Sequence, residues 1–214
     1  VPILQDQSDS FGRFEIGASL GEALQALNGT LRDLSEGKYH VASDEMHLLI
    51  DLSLVLNKLC VAWHRRTSTY DEVVRESQED YEAMTTKIPD WGGRFTMVES
   101  GVMHGGIPNS VYCRMSMDTQ TIGDYLRAAE VALRDLMEMI ERVKFDPSDI
   151  DSLGSQFAPV LSNLCLAWHL RYLTPAEVSA LEATTIDEIG HWIPPWQWLN
   201  VRLIPQDMSA FGTD

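Results

Sequence analysis

A chain of 214 residues with 32 Asp and Glu against 16 Lys and Arg carries a net charge of −16, well past the magnitude of about 2–8 that keeps a small domain soluble. Such a field repels nucleic-acid phosphates and anionic lipid, so direct nucleic-acid or membrane-surface binding is not expected; it suits a solubility surface first and a protein partner of basic character second. Hydrophobic residues make up 44% of the chain, enough for a core without covalent staples, and three cysteines do not form a secreted disulfide framework, which points to the cytoplasm.

In chain order, Val1–Gly12 lacks periodicity and reads as a flexible arm over residues 1–12. A first helix follows near Ala18–Leu34, with Leu20, Leu24, Leu27, Leu31 and Leu34 at spacings of three and four. A second helix near Asp44–Arg66 carries Leu48, Leu52, Val55, Leu56, Leu59 and Trp63 in the same rhythm. Within it lies the longest apolar stretch, which Asp51, Asn57 and Lys58 interrupt, so no membrane span is predicted. Thr69-x-x-Glu72 is a capping box that starts a third helix, which ends before "IPDW" because proline disfavours helical geometry in the residue ahead of it. Strands are predicted at Arg94–Glu99, Ser110–Met117 and Trp198–Ile204, paired as a small antiparallel sheet, with residues 100–121 as a hairpin connector around the turn-forming "HGGIPN".

The segment "LCVAWHRR", Leu59 to Arg66, returns as "LCLAWHLR", Leu164 to Arg171. The offset of 105 residues holds without a gap from Val55/Val160 to Trp91/Trp196 and brings Thr69 onto Thr174, Glu72 onto Glu177 and "IPDW" onto "IPPW". Upstream, with a slip of one residue, Ile16 falls on Ile122 and the first helix on a helix near Asp124–Val143, while the second helix recurs near Asp149–Tyr172. The expected fold is mainly α with a small β component (α+β): a tandem duplication of a three-helix unit, each followed by a short strand. Residues 14–99 form the first half and 122–204 the second, in one shared-core domain with flexible 1–12 and 206–214. The flanks bearing the repeated Cys and His are expected to face each other across a pseudo-twofold interface.

Two readings compete for the repeated motif. In the first, Trp63 and Trp168 anchor the cores, Cys60 and Cys165 act as small hydrophobes and His64 and His169 hydrogen-bond at the edge, with no cofactor. In the second, each Cys-x-x-x-His places two ligands one helical turn apart, and Cys60, His64, Cys165 and His169 together supply a Cys2His2 site for zinc. Metal knuckles ordinarily present cysteines from short C-x2-4-C turns, which favours packing.

Catalytic patterns are sparse: the chain has no Gly-rich phosphate loop, G-x-S-x-G elbow or H-E-x-x-H, and nothing in the sequence sets a base beside Cys113. Contact features are clearer. Glu72, Glu76, Glu79 and Asp80 cluster in the third helix of the first half, and Trp192 and Trp198 flank the two prolines of "HWIPPWQW". The function expected is therefore non-enzymatic: an acidic helical protein acting through protein–protein contact as an inhibitor, immunity-like or adaptor protein. A metal-binding protein and a nucleic-acid mimic that occupies a basic groove are the alternatives.

Overall fold

A computed structural model describes residues 3–41, 44–87, 89, 91, 95–97, 114, 116–142 and 150–194 of the chain. The architecture is mainly helical. Eight helices are described: α1 Ile3–Ser35, α2 Glu45–His64, α3 Tyr70–Arg75, α4 Gln78–Thr86, α5 Thr119–Arg142, α6 Ile150–His169, α7 Pro175–Ser179 and α8 Ala183–Gly190.

The two longest helices owe their pairing to one pattern. On α1 a buried row runs Ile16, Leu20, Ala23, Leu27, Thr30 and Leu34, with Ser19 also buried beside it, and on α5 a row runs Ile122, Leu126, Ala129, Leu133, Leu136 and Ile140, with Thr121 and Gly123 also buried at its start. Both runs alternate steps of four and three, which draws a narrow apolar seam along one side of a helix. Leu24 and Leu31 pack only partly against this core. α1 and α5 lie against each other, and Leu34 of α1 sits so close to Gly123 of α5 that an added Cβ there would lie 3.1 Å from Leu34 Cδ2. The end of α1 therefore meets the start of α5, and the two helices run antiparallel.

Each of these helices also forms a hairpin with its successor, α1 with α2 and α5 with α6. Lys58 of α2 pairs with Glu22 of α1 at 2.6 Å and Arg65, just past α2, with Glu15 at 3.2 Å, which fixes the antiparallel register of the first hairpin. The turn between them is set by Gly37, whose φ of +78° lies in the left-handed region. Its N–H reaches Leu34 O while that of Lys38 reaches Asp33 O, closing the end of α1 in a Schellman arrangement. In the second hairpin, Asp118 N–H donates to Arg171 O, holding the start of α5 beside the end of α6.

Several elements differ from the sequence expectation. α1 begins at Ile3, so the backbone of the segment predicted as an arm is helical from there; helical hydrogen bonding propagates from an existing nucleus without an apolar stripe. The third helix of each half is two helices. In the first half, Ser77 turns extended (ψ 163°) and opens a second capping box with Asp80, ending α3 and starting α4. In the second, Glu182 is extended between α7 and α8. Strand pairing is parallel, not antiparallel: Thr96–Met97 (β1) lies beside Trp192–Ile193 (β2). Ser116 makes one antiparallel bridge, with Val41. Trp198–Ile204, most of Ser110–Met117 and residues 206–214 lie outside the described residues.

The interface between the hairpins also differs from expectation. It is carried by α1 and α5, whereas α2 and α6 meet only lightly, so the Cys and His flanks do not face each other. Seam residues in α1 and α5 are small or aliphatic throughout and admit a long close approach, while α2 and α6 present bulky Trp63 and Phe157 where they touch, with ring centroids 5.7 Å apart.

Both sequence-predicted capping boxes form: Thr69 with Glu72 and Thr174 with Glu177. Thr69→Ala and Thr174→Ala are each expected to cost about 0.5–2 kcal/mol in chemical denaturation; two unchanged midpoints would exclude these caps. Glu177 also receives Arg114, and that guanidinium first, then the Thr174 donors, hold its carboxyl at about 2, below the ordinary 4.5. A depressed acid contributes stability above its unfolded value that is lost as pH falls through its folded value. A carbon-detected NMR titration of Glu177 is expected to show a midpoint near 2, and one near 4.5 would mean that the bonds do not persist in solution.

Candidate functional site

The repeated motif closes the C-terminal end of α2 and of α6 in the same way. Cys60 and Cys165 are buried, at 0% and 1% exposure. Burial pushes the Cys60 thiol up to about 12 and the Cys165 thiol upward as well, so both stay protonated and behave as small apolar groups. One turn on, the His64 Nε2–H donates to Lys87 O at 2.8 Å and the His169 Nε2–H to Trp192 O at 2.9 Å. In both halves the acceptor lies 23 residues beyond the histidine, so each imidazole ties the end of a core helix to the chain leaving the short helices.

The arginine two residues after each histidine completes the device. Arg66 Nη1 donates back to Trp63 O at 2.7 Å with its guanidinium 4.6 Å from the Trp63 ring, and Arg171 Nη1 donates to Trp168 O at 2.5 Å with its guanidinium 3.9 Å from the Trp168 ring. A terminal carbonyl of each helix is thereby satisfied by a cation that the helix dipole also favours, stacked on the indole. The two arginines differ in their counter-charge. Arg171, 7% exposed, reaches across to Glu45 at the start of α2, and the Tyr172 hydroxyl donates to the same carboxylate at 3.3 Å. Arg66 has no carboxylate within ion-pair distance among the described residues, and burial lowers its affinity for its proton.

The four candidate zinc ligands are not brought together. Among the described residues no group of three or more His, Cys, Asp or Glu is arranged to hold a metal ion. The two histidines spend their Nε2 atoms on carbonyls in separate halves, and the light contact between α2 and α6 leaves Cys60 and Cys165 in different parts of the core.

The acidic candidates do converge. Glu72, Glu76 and Asp80, with His64, Ser68, Arg75, Ala83, Met84 and Lys87, line a cleft of about 500 Å³ between the end of α2 and the α3–α4 segment. Glu72 and Asp80 close the capping boxes of Thr69 and Ser77, which hold their carboxyls below the ordinary range through hydrogen bonds from those residues. Glu76 pairs with Arg65, and Glu79 is exposed on the outer side of α4. Trp192 is half-buried against the core, its carbonyl taken by His169, and Trp198 lies outside the described residues.

The sequence reading passed over Tyr70 and Val74, which stand 64% and 63% exposed one helical turn apart on α3. Their signal was an i, i+4 apolar pair in a charged helix, hidden because a six-residue helix is too short to display a period. It also passed over the Arg–Trp stacks, since a four-residue span between aromatic and cation is common and carries no mark of burial.

The sequence matches no protein-family model and no curated protein, and the fold matches no solved structure.

Trp63→Ala and Trp168→Ala are each expected to cost about 3–5 kcal/mol through the cavity left behind, against about 1 kcal/mol for His64→Ala, which removes one hydrogen bond. Arg171→Ala is expected to cost on the order of 2 kcal/mol more than Arg66→Ala, because only the first strands a paired carboxylate. Chemical denaturation of the five variants checks both orders, and a histidine variant less stable than either tryptophan variant would refute the packing role of the motif.

Proposed function

We propose that this chain is a non-enzymatic, acidic helical protein that acts by protein–protein contact, built as a tandem duplication in which only the first half has acquired a contact face. The observation that carries this reading is the pair Tyr70 and Val74, exposed on α3 and bordered by the exposed carboxylates of Asp71, Glu72, Glu79, Asp80 and Glu82. At the matching offset the second half has Pro175 and Ser179 for the apolar pair and Ala176, Thr184 and Thr185 for three of the acids. An exposed tyrosine is a frequent anchor of an interface, and the excess of acids on α3 and α4 over the one exposed cation there, Arg75, which pairs with Asp71, favours a partner of opposite sign. With a net charge of −16 behind it, the face fits a basic surface carrying an apolar centre.

The duplication is supported by the shared 20-residue length of α2 and α6, by the two capping boxes and by the two histidine bonds of equal span. α2 with its extension to Thr67 has the length and hydropathy of a membrane-spanning helix, but most of its apolar residues are buried in the core, as in the core helix of a soluble protein.

Capture from a lysate of the native host with the wild-type chain, with Tyr70→Ala/Val74→Ala and with Glu79→Lys/Glu82→Lys tests the reading. Each double variant is expected to retain the partner at least about tenfold less, since each tenfold is about 1.4 kcal/mol of binding. Retention is expected to fall as salt rises from about 0.05 to about 0.5 M. Undiminished capture by both variants would refute the α3–α4 face as the contact.

A further inference from the structure

On the opposite side of the first hairpin a second cavity, of about 450 Å³, lies between the end of α1, the Gly37 turn and the opening turns of α2. Tyr39, Ile50 and the ring of His47 give it apolar walls, and Asp51 stands in it as a carboxylate in the middle of an apolar helix. The Tyr39 hydroxyl, on a side chain only 1% exposed, donates to Asp51 Oδ2 and fixes that carboxylate. The other oxygen, Oδ1, accepts no hydrogen bond among the described residues, and no Lys or Arg nitrogen lies within ion-pair distance of it.

The charged neighbours are already committed. Lys38 Nζ is held by Asp33 at 2.7 Å and Glu36 at 3.1 Å, and Asp44 Oδ2 accepts from the backbone N–H groups of His40 and Val41. Burial, with the like charge of Asp33, raises the Asp51 carboxyl above its ordinary range in spite of the Tyr39 hydrogen bond and the nearby His47 and Lys38. A half-buried carboxylate on the wall of a cavity of ligand size, lined by Asp33, Asp44 and Asp51 against the single cation Lys38, is compensated most simply by a cation that the ligand brings. At the matching offset the second half carries Gln156, exposed and uncharged, so the feature belongs to the first half alone.

We infer that this cavity binds a primary ammonium on a short apolar stem, with the ammonium on Asp51 Oδ1 and the stem against Tyr39 and Ile50. The same chemistry is offered by a free alkylamine and by a lysine side chain of a polypeptide. The site is separate from the α3–α4 face, so either can fail without the other.

The test uses the full chain in NMR titrations with n-butylamine, with acetyl-Gly-Lys-Gly-amide and with butyrate as the anionic control. Saturable shifts confined to Tyr39, His47, Ile50 and Asp51 with the two cations, and none with butyrate, are expected. Asp51→Asn is expected to weaken binding at least about tenfold, as loss of one charge-assisted contact does. Tyr39→Phe, which keeps the ring and frees the carboxylate, is expected to weaken it less, and serves alone should Asp51→Asn not fold. Tighter binding of the peptide assigns the site to lysine side chains, and tighter binding of butylamine to free amines. Absence of saturable shifts at these residues, equal response to butyrate, or affinity unchanged in the variants that fold would overturn the inference.

Discussion

The antiparallel seam between α1 and α5 is the contact on which the rest of the molecule depends. Each long helix packs both on the second helix of its hairpin and on the other long helix, and the seam is where the apolar rows of α1 and α5 are removed from water. Because the buried positions alternate by four and three on both helices, the stripes stay in register along the whole contact. Small residues at Ala23, Ala129 and Gly123 let the helices approach closely. The other contacts between the hairpins, Trp63 on Phe157 and Arg171 on Glu45 among them, are fewer than those along this seam.

The repeated Cys, Trp, His and Arg serve one task between them. A helix that ends inside a core leaves backbone carbonyls to be satisfied, and a short helix packed beside it needs an anchor. Arginine returns to the carbonyl of the tryptophan it stacks on, and histidine holds the chain that leaves the short helices. The cysteine fits where a larger side chain would push the helices apart. The four residue types recur together because together they form one joint, made twice.

The two halves of the chain differ in how their short helices seat on the core. Gly190 of α8 lies so near Ser162 that a Cβ would come within 2.3 Å of its hydroxyl oxygen, so α8 seats flush on α6. Thr85 and Asn57 stand at the matching places in the first half, and there α4 leaves a cleft lined by His64, Glu72, Glu76 and Asp80. The exposed carboxylates and the apolar pair on α3 belong to that same half, as does the cavity around Asp51.

From the sequence alone came the helical character, the positions of both core hairpins and the two threonine caps, because apolar spacing and capping boxes are local signals that a few consecutive residues complete. Local signals also indicated the cluster of acidic residues and the capping role of Glu72, although not that Asp80 closes a second cap with Ser77 while Glu79 faces water. Tertiary structure decided what depends on distance in space. It selected α1 with α5 as the interface over the repeated Cys and His flanks, because seam width along a helix is a property of two facing surfaces. It paired Thr96–Met97 with Trp192–Ile193 in parallel, a pairing across nearly half of the chain that two residues of sequence cannot specify. And it brought Tyr39 onto Asp51 and Arg171 onto Glu45, since a buried charge is recognisable only from the partner that reaches it.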